Sequence, residues 1–543
     1  MISRRNLFAA AAATAVLPSV AALAPRASAA TGSTLNIDLQ NNTGSNTVYA
    51  YVTGLAIDNG NAWFLLQSDG RTPYYPPSPP STLTPLGANC AIPLGPNGST
   101  TRITIPHLAG GRIWFSIDNP LTFLVNPGPA LVFPSVSNPS DPNINVMWDF
   151  CEFTFNSTNL WANISMVDFV AIPIGLTSTG AAGTQTAPGL PAGALDTVCS
   201  ALQAQSAADG QGWNQLIVTS GGANLRALSP NNGIAQNSSL FAGYFDGYLD
   251  QVWSKYSSQT LSIDTQAQWG TVTGNVSGGV LNFPGVGSFG RPSSADIFSC
   301  NSGPFNTSGV EMGALTARIS AAINRTTLLI DSDQPAGENP ANYYQYPQTN
   351  HYARIVHATS IDGRGYAFPY DDVAPTGGVD QSGAVVDQNP TLLTVTLSPV
   401  HGGGGGGGGN PVIQVQAESG TLHGLGTEAI YPGYTGSGYV AGWNHDGQWV
   451  DLHPSVSQAG PYTLTLRYSA AAGNASRYIY VNGSGVVNNL SLPGTGSWSS
   501  WNTVTVPNVA LNAGSNTISV IYNSSLGSSN YLNLDEITVQ YAG

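Results

Sequence analysis

Charge is scarce in this chain. Only 8% of its 543 residues are charged, and fifteen Lys and Arg against twenty-nine Asp and Glu leave a formal net charge of -14. That balance argues against nucleic acid as a partner, whose binding rests on cationic side chains neutralising phosphates. Cysteine is rare too: Cys90, Cys151, Cys199 and Cys300 have spacings that make no CxxC metal or redox motif. The seven histidines form no HExxH or comparable metal pattern. After residue 30 no apolar run is long enough to span a bilayer, so no membrane partner is expected. What is plentiful is Gly, Pro, Ser, Thr and Asn, a surface of hydroxyls and amides that suits neutral polymers.

Residues 1–30 read as an export signal: Arg4 and Arg5 in SRRNLF, an Ala, Leu and Val-rich run, then Ala27-Ser28-Ala29 before Ala30. The paired arginines point to the twin-arginine route, and so to a secreted protein that folds before crossing the membrane. An even number of cysteines in an exported protein makes two disulfides the default expectation, with all three pairings open and buried thiols as the alternative.

Eight consecutive glycines, Gly402 to Gly409, mark a flexible linker over residues 401–410. About 370 mature residues precede it and about 130 follow, each enough for independent folding. The first region opens with short alternating segments such as LNIDLQN, NTVYAYVTG and TRITIPHL, which predict strands. Between Gly193 and Tyr256 the apolar spacing turns helical in GALDTVCSALQAQ and FAGYFDGYLDQVWSKY, and a further helix is expected around LTARISAAINRTTLLI. Strand-like text returns in HYARIVHAT and TLLTVTLSP. The second region, with YTLTLRYSA, SRYIYVNGS, NTVTVPNVAL and LNLDEITVQY, predicts an antiparallel β-sandwich.

Hydrolysis of a glycosidic bond needs a proton donor for the leaving oxygen and a second carboxylate to activate water or attack directly. The segment NVMWDFCEFTFNSTNLWANISMVDFVAIPIGL holds Asp149, Glu152 and Asp168 among aromatic and apolar residues. Along CEFTFN, alternation sends Cys151, Phe153 and Phe155 to a core face and Glu152, Thr154 and Asn156 to a polar one. Asp168 interrupts an apolar strand, and catalysis or a structural network would each account for it. Strict alternation places Asp168 with Ile164 and Met166, away from Trp161 and Ser165; a bulge between Ser165 and Asp168 would resolve this. Gly285, Gly287 and Gly290 form a lone GxGxxG without a βαβ context and read as loop glycines. His351 and His357 read as surface or groove residues, and Asp371 and Asp372 as a solvated turn pair or the far side of a groove.

The stretch Trp148 to Leu176, with GRGYAFPYDDV around Tyr366, resembles glycoside hydrolase family 64, the laminaripentaose-producing β-1,3-glucanases, over roughly Thr31 to Val400. The resemblance implies a multidomain, mainly β protein. A thaumatin-like β-barrel or sandwich domain (31–190) stands beside a mixed α/β domain from about 191, with the chain returning to the β domain near residue 400. It implies Glu152 as general acid and Asp168 as general base in an inverting, cofactor-free mechanism. Thr154, Asn156 and Trp161 match groove residues that contact glucan; a β-face hydroxyl, a turn amide and a core aromatic are the alternatives.

Residues 411–543 resemble carbohydrate-binding modules of families 6 and 35 through VQAESG, YTGSGYVAGW, GQWVDL, RYIYVNG, GTGSWSSW and LNLDEITV. That resemblance implies a jelly-roll β-sandwich with a structural calcium ion held by Gln416, Glu418 and Asp535, oxygen ligands that suit a hard cation. It also implies a loop cleft in which Tyr434, Trp498 and Asn533 meet sugar, leaving Trp449 and Trp501 as core. Together these readings predict a secreted monomer acting on β-1,3-glucan. A non-catalytic thaumatin-like glucan-binding protein is the alternative, since fold does not fix function.

Overall fold

The computed structural model describes residues 32–181, 183–401, 412–456, 459–512 and 514–541. The export segment 1–30 and the linker glycines lie outside the described residues. The chain divides after His401 into two compact units.

The first unit is built on two large sheets. One has the strand order Gly183–Ala187, Ile174–Gly180, Pro390–Leu397, Thr34–Asn41, Ser99–Pro106. The other runs Ala384–Asp387, Leu160–Ile164, Met147–Phe155, Leu108–Ile117, Val48–Ala56, Ala62–Leu66, Pro73–Tyr74. The chain returns to both after the helical region: Pro390–Leu397 pairs in parallel with Thr34–Asn41, and Ala384–Asp387 pairs with Leu160–Ile164. Cys151, Phe153 and Phe155 are buried while Glu152 and Thr154 are half-exposed, the alternation the sequence predicts. Across the sheets, the buried Ser178 hydroxyl donates to Asp387 at 2.8 Å. Gly111 has no substitute here, because a Cβ on it would stand 2.5 Å from the Phe153 ring.

The mixed region contributes helices Ala194–Asp209, Pro230–Gln236, Asp246–Tyr256, Ser294–Ser299, Val310–Arg325 and His351–Thr359. Two of the predicted segments need correction. LTARISAAINRTTLLI is helical only to Arg325, where Thr326 takes a left-handed conformation with φ 59°. HYARIVHAT is a helix and not a strand: Asn350 caps it by accepting from the Ala353 N–H, and His351, Tyr352, Ala353, Ile355 and Val356 are buried at helical spacing. Gly285 and Gly287 belong to the hairpin joining Val280–Phe283 to Gly287–Phe289, which fits the loop reading.

The default of two disulfides is also corrected. All four cysteines are buried thiols: Cys151 in the Glu152 strand, Cys90 in a loop, Cys199 in the helix Ala194–Asp209 and Cys300 at the C-cap of the helix Ser294–Ser299. Burial pushes the Cys90 and Cys199 thiols up to about 12. A core of this size does not depend on covalent staples.

The second unit is a sandwich of two sheets. One contains Gly426–Glu428, Tyr439–Ala441, Asn533–Tyr541, Gly460–Ser469 and Asn502–Leu511, with Val412–Gln416 on the Asn533 strand; the other runs Thr421–His423, Trp449–Leu452, Ile518–Ile521, Ala475–Val481, Ser484–Leu492. Trp443, Leu464, Leu466, Ile479, Val520 and Ile537 lie in its core.

Candidate active site

The solvent-side face of the larger sheet carries aromatic packing and, beside it, polar groups. Glu152 is the cross-strand partner of Arg112 on one side and Asn163 on the other; Thr154 is that of Trp161. Directly paired residues share a face, so Arg112, Glu152, Thr154, Asn163 and Trp161 form one surface. Arg112 holds the carboxylate through Nε (2.9 Å) and Nη2 (2.7 Å), both on Oε1. Its guanidinium lies 4.6 Å from the Phe150 ring centroid and 5.3 Å from that of Trp114, so aromatic faces fix the cation that fixes the acid. Asn163 is wholly buried and neither of its amide atoms has a hydrogen-bond partner, a group that calls for a ligand or water.

Asp168 is placed by a break in the strand rather than by the expected bulge. The strand ends at Ile164, Ser165 bridges to Tyr366, and pairing resumes at Phe169–Val170 against Ala223–Leu228 in a different sheet. Bends at Val167 and Asp168 let two consecutive residues reach the surface between buried Met166 and Phe169, which a regular strand forbids. The crossing is pinned by the Met166 N–H donating to Tyr366 O at 2.9 Å and the Tyr352 hydroxyl donating to Met166 O at 2.7 Å. Asn232 Nδ2 then donates to both the Asp168 backbone oxygen (2.9 Å) and Oδ1 (3.1 Å). Asp149, the third acid of the segment, is structural: it is buried and accepts from the Phe150, Ala171 and Ile172 N–H groups, tying the strand beyond Asp168 to the Glu152 strand.

Tyr366 brings the GRGYAFPYDDV segment to this surface. Burial raises its phenol well above the usual value, and the carboxylates of Asp372 and Glu152 push the same way. Its hydroxyl donates to Asp372 Oδ1 at 3.5 Å. Asp372 is held above its ordinary value, first by desolvation and then by the like charges of Asp380 and Asp371. Asp371 is not a solvated turn residue. It is fully buried, bonded to Arg325, His357 and the Ala367 N–H.

Trp161 and Thr154 are half-buried on the Glu152 face, which removes the core reading for Trp161. Asn156 caps the hairpin turn, its Oδ1 accepting from the Thr158 N–H (2.8 Å), the Thr158 hydroxyl (2.6 Å) and the Asn159 N–H (3.0 Å). The turn role is thus the one its bonds display. Sequence reasoning missed Arg112, Asn163 and Asn232, none of which lies in a recognisable local pattern.

In the second unit, Trp498 stacks beside Tyr431 with ring centroids 6.2 Å apart, and Tyr434 packs edge-on to Tyr439. Asn533 is buried opposite Ser469, whose hydroxyl donates to Trp498 O. Trp501 is packing, wedged against Tyr439 and tied to Pro432 O. Trp449 is not core: it is half-exposed on the outer face of its sheet. Among the described residues no three His, Cys, Asp or Glu side chains gather in a metal-sized cluster. The oxygens near Gly436 nevertheless suit a hard cation. A Cβ there would meet Glu418 Oε1 at 2.5 Å and Gln416 Oε1 at 2.6 Å, and the buried Glu418 Oε2 has no partner. Asp535 is held by Thr435 and Arg467.

Two carboxylates fixed by separate partners on an aromatic, weakly charged surface are the equipment of a glycoside hydrolase. The chain belongs to glycoside hydrolase family 64, the β-1,3-glucanases, whose pattern matches residues 33–397. Residues 413–542 match carbohydrate binding module family 35. The chain is 30% identical over 379 residues to a glucan endo-1,3-beta-glucosidase of Cellulosimicrobium cellulans, covering 68% of this chain and 66% of that one. It is 29% identical over 414 residues to one of Arthrobacter sp. (strain YCWD3), covering 74% and 70%. The chain thus spans about two thirds of the length of these relatives. A laminaripentaose-producing beta-1,3-glucanase solved in complex with laminaritetraose superposes with a TM-score of 0.61 at 33% identity, covering 68% of this chain and 100% of the other.

Proposed function

We propose that the protein is a secreted hydrolase that cleaves β-1,3-glucan to short oligosaccharides such as laminaripentaose with inversion. The observation that carries this reading is the separate anchoring of Glu152 by Arg112 and of Asp168 by Asn232 across the strand break. Arg112 occupies Oε1 of Glu152, so Oε2 is the oxygen that carries a proton to the departing glycosidic oxygen. Asp168 takes a proton from the water that attacks the anomeric carbon from the opposite face. Support for inversion comes from register: the residue opposite Glu152 is Asn163, so the two acids are not a directly opposed hairpin pair. Trp161 and Thr154 offer a ring face and a hydroxyl to glucose units beside the acids.

Replacing Glu152 by Gln and Asp168 by Asn tests the assignment on curdlan and laminarin. Each folded variant should release oligosaccharide at least about 100-fold more slowly than the wild type. A wild type that pellets with curdlan but releases nothing would instead identify a glucan-binding protein.

In the family 35 unit, Gln416, Glu418 and Asp535 would hold a calcium ion that ties the first strand to the last; Tyr434, Trp498 and Asn533 would contact sugar. Calcium there supplies rigidity and no chemistry. A chelator should lower the unit's unfolding midpoint and added calcium restore it; an unmoved midpoint would refute the ion.

A further inference from the structure

The helix His351–Thr359 and the Tyr366 segment together hold the approach to Asp168. Tyr352 donates its hydroxyl to Met166 O at 2.7 Å, and the Met166 N–H donates to Tyr366 O at 2.9 Å, so both backbone groups of Met166 are fixed just before Asp168. The packing there is close: a Cβ on Gly365 would stand 3.2 Å from Met166 Sδ and 3.3 Å from Val356 Cγ1. His357, on the same helix, ties residues 363–371 to it. Its Nδ1 lies 2.9 Å from Gly363 O and its Nε2 2.9 Å from Asp371 Oδ2. Asp371 passes the hold on, because Oδ2 also accepts from the Ala367 N–H at 3.0 Å, next to Tyr366.

Both ring nitrogens of His357 face acceptors. A carbonyl oxygen carries no hydrogen, and Asp371 is an ionised acceptor, taking bonds from Arg325 and the Ala367 N–H. Each nitrogen therefore donates, and the ring is an imidazolium. His351 on the same helix is the contrast: its Nε2 meets Pro347 O, but its Nδ1 accepts from Arg354 Nε at 2.9 Å, which a neutral ring satisfies. The charged and titratable groups around His357 are Asp371, Arg325 and the Tyr344 ring, 5.8 Å away. Arg325 is itself engaged by Glu338 and Tyr343, and Arg364, beside Gly363, by Asp362. Desolvation and Arg325 oppose the ring's charge; Asp371 and the Gly363 carbonyl outweigh them. A neutral His357 could donate to only one of its two partners, leaving the other against a lone pair in a largely buried place.

We propose that His357 is a positioning residue for the general base: as an imidazolium it clamps residues 363–371 onto Met166, and loss of its proton loosens the seat of Asp168. The proposal rests on the reading of Asp168 as the base. The clamp sets the geometry of one reacting group and makes no contact with glucan, so it bears on kcat and leaves KM in place.

The test sets kcat and KM on laminarihexaose, from about pH 5 to about pH 10, beside the titration of the assigned His357 ring followed by NMR in the full chain with isotope-labelled histidine. In the wild type, kcat should fall about tenfold or more, with KM changing less than about twofold, over the range in which that ring loses its proton. His357→Gln should show the lower kcat already at about pH 6 and lack the decline; any decline belonging to Glu152 stays in both proteins. If that variant does not fold, the wild-type comparison decides alone. Asp168→Asn, assayed alongside, reports on the base separately: undiminished turnover there refutes the reading of Asp168, whatever His357 does. A kcat that stays level while the ring titrates, a ring still charged at about pH 10, a wild-type profile in folded His357→Gln, or an effect carried by KM overturns the proposal.

Discussion

Both nitrogens of Arg112 that reach Glu152 land on one oxygen, and both bonds from Asn232 to Asp168 come from one amide nitrogen. Asn232 therefore sets the acid's backbone and its carboxylate together, as a positioning residue. Asn232→Ala should lower kcat on laminarin about tenfold or more with KM little changed, since it loosens the geometry of the base without touching the glucan. A KM rise at constant kcat would place Asn232 in substrate binding instead. The two acids were legible because each interrupts apolar strand text. Their partners were not, because they stand 40 and 64 residues away and only tertiary pairing brings them close. Trp449 was legible in principle: it shares an alternating face with Asp451, a combination that a core strand would not tolerate.

At the level of elements, the decisive feature is the strand that leaves one sheet at Ile164 and enters another at Phe169. Alternation exposed the conflict at Asp168, but a break and a bulge resolve it equally well in sequence, and the choice depends on the distant Tyr366 and Tyr352. The helix His351–Thr359 was misread because its nine residues also alternate acceptably as a strand; the Asn350 cap was the missed signal. Behind the Tyr366 segment, Arg325 bonds Val373 O, Asp371 and Glu338, and His357 Nε2 lies 2.9 Å from Asp371 Oδ2. Desolvation opposes the charge on Asp371, but His357 and Arg325 outweigh it and hold the carboxyl below its ordinary 3.8. His357 is opposed by desolvation and held above its ordinary 6.5 by Asp371. Asp371 thus contributes stability above 3.8 that is lost as pH falls through its folded value. His357 contributes stability below 6.5 that is lost as pH rises through its folded value, so the pair is fully effective between those limits. The unfolding midpoint of the wild type should therefore fall as pH rises above 6.5, and His357→Gln should start lower and lose that decline. Parallel profiles for the two proteins would show that His357 carries no such linkage.

Across the whole molecule, the β core and the terminal sandwich were legible from alternation, the glycine segment and the return of strand text before residue 400. The thiols were not, because an even cysteine count in an exported chain says nothing of whether a core of this size needs staples. The scarcity of charge that opens the sequence reading recurs in both units as weakly charged, aromatic surfaces with one or two fixed carboxylates. The central claim is that Glu152 and Asp168 work as acid and base from opposite sides of a glucan chain. Proton NMR of the anomeric region during the first turnovers on laminarihexaose, before mutarotation, tests it most directly. The account predicts that the new reducing end appears as the α-anomer, and that no product forms with Glu152→Gln or Asp168→Asn; a β-anomer appearing first, or undiminished turnover in either variant, would contradict it.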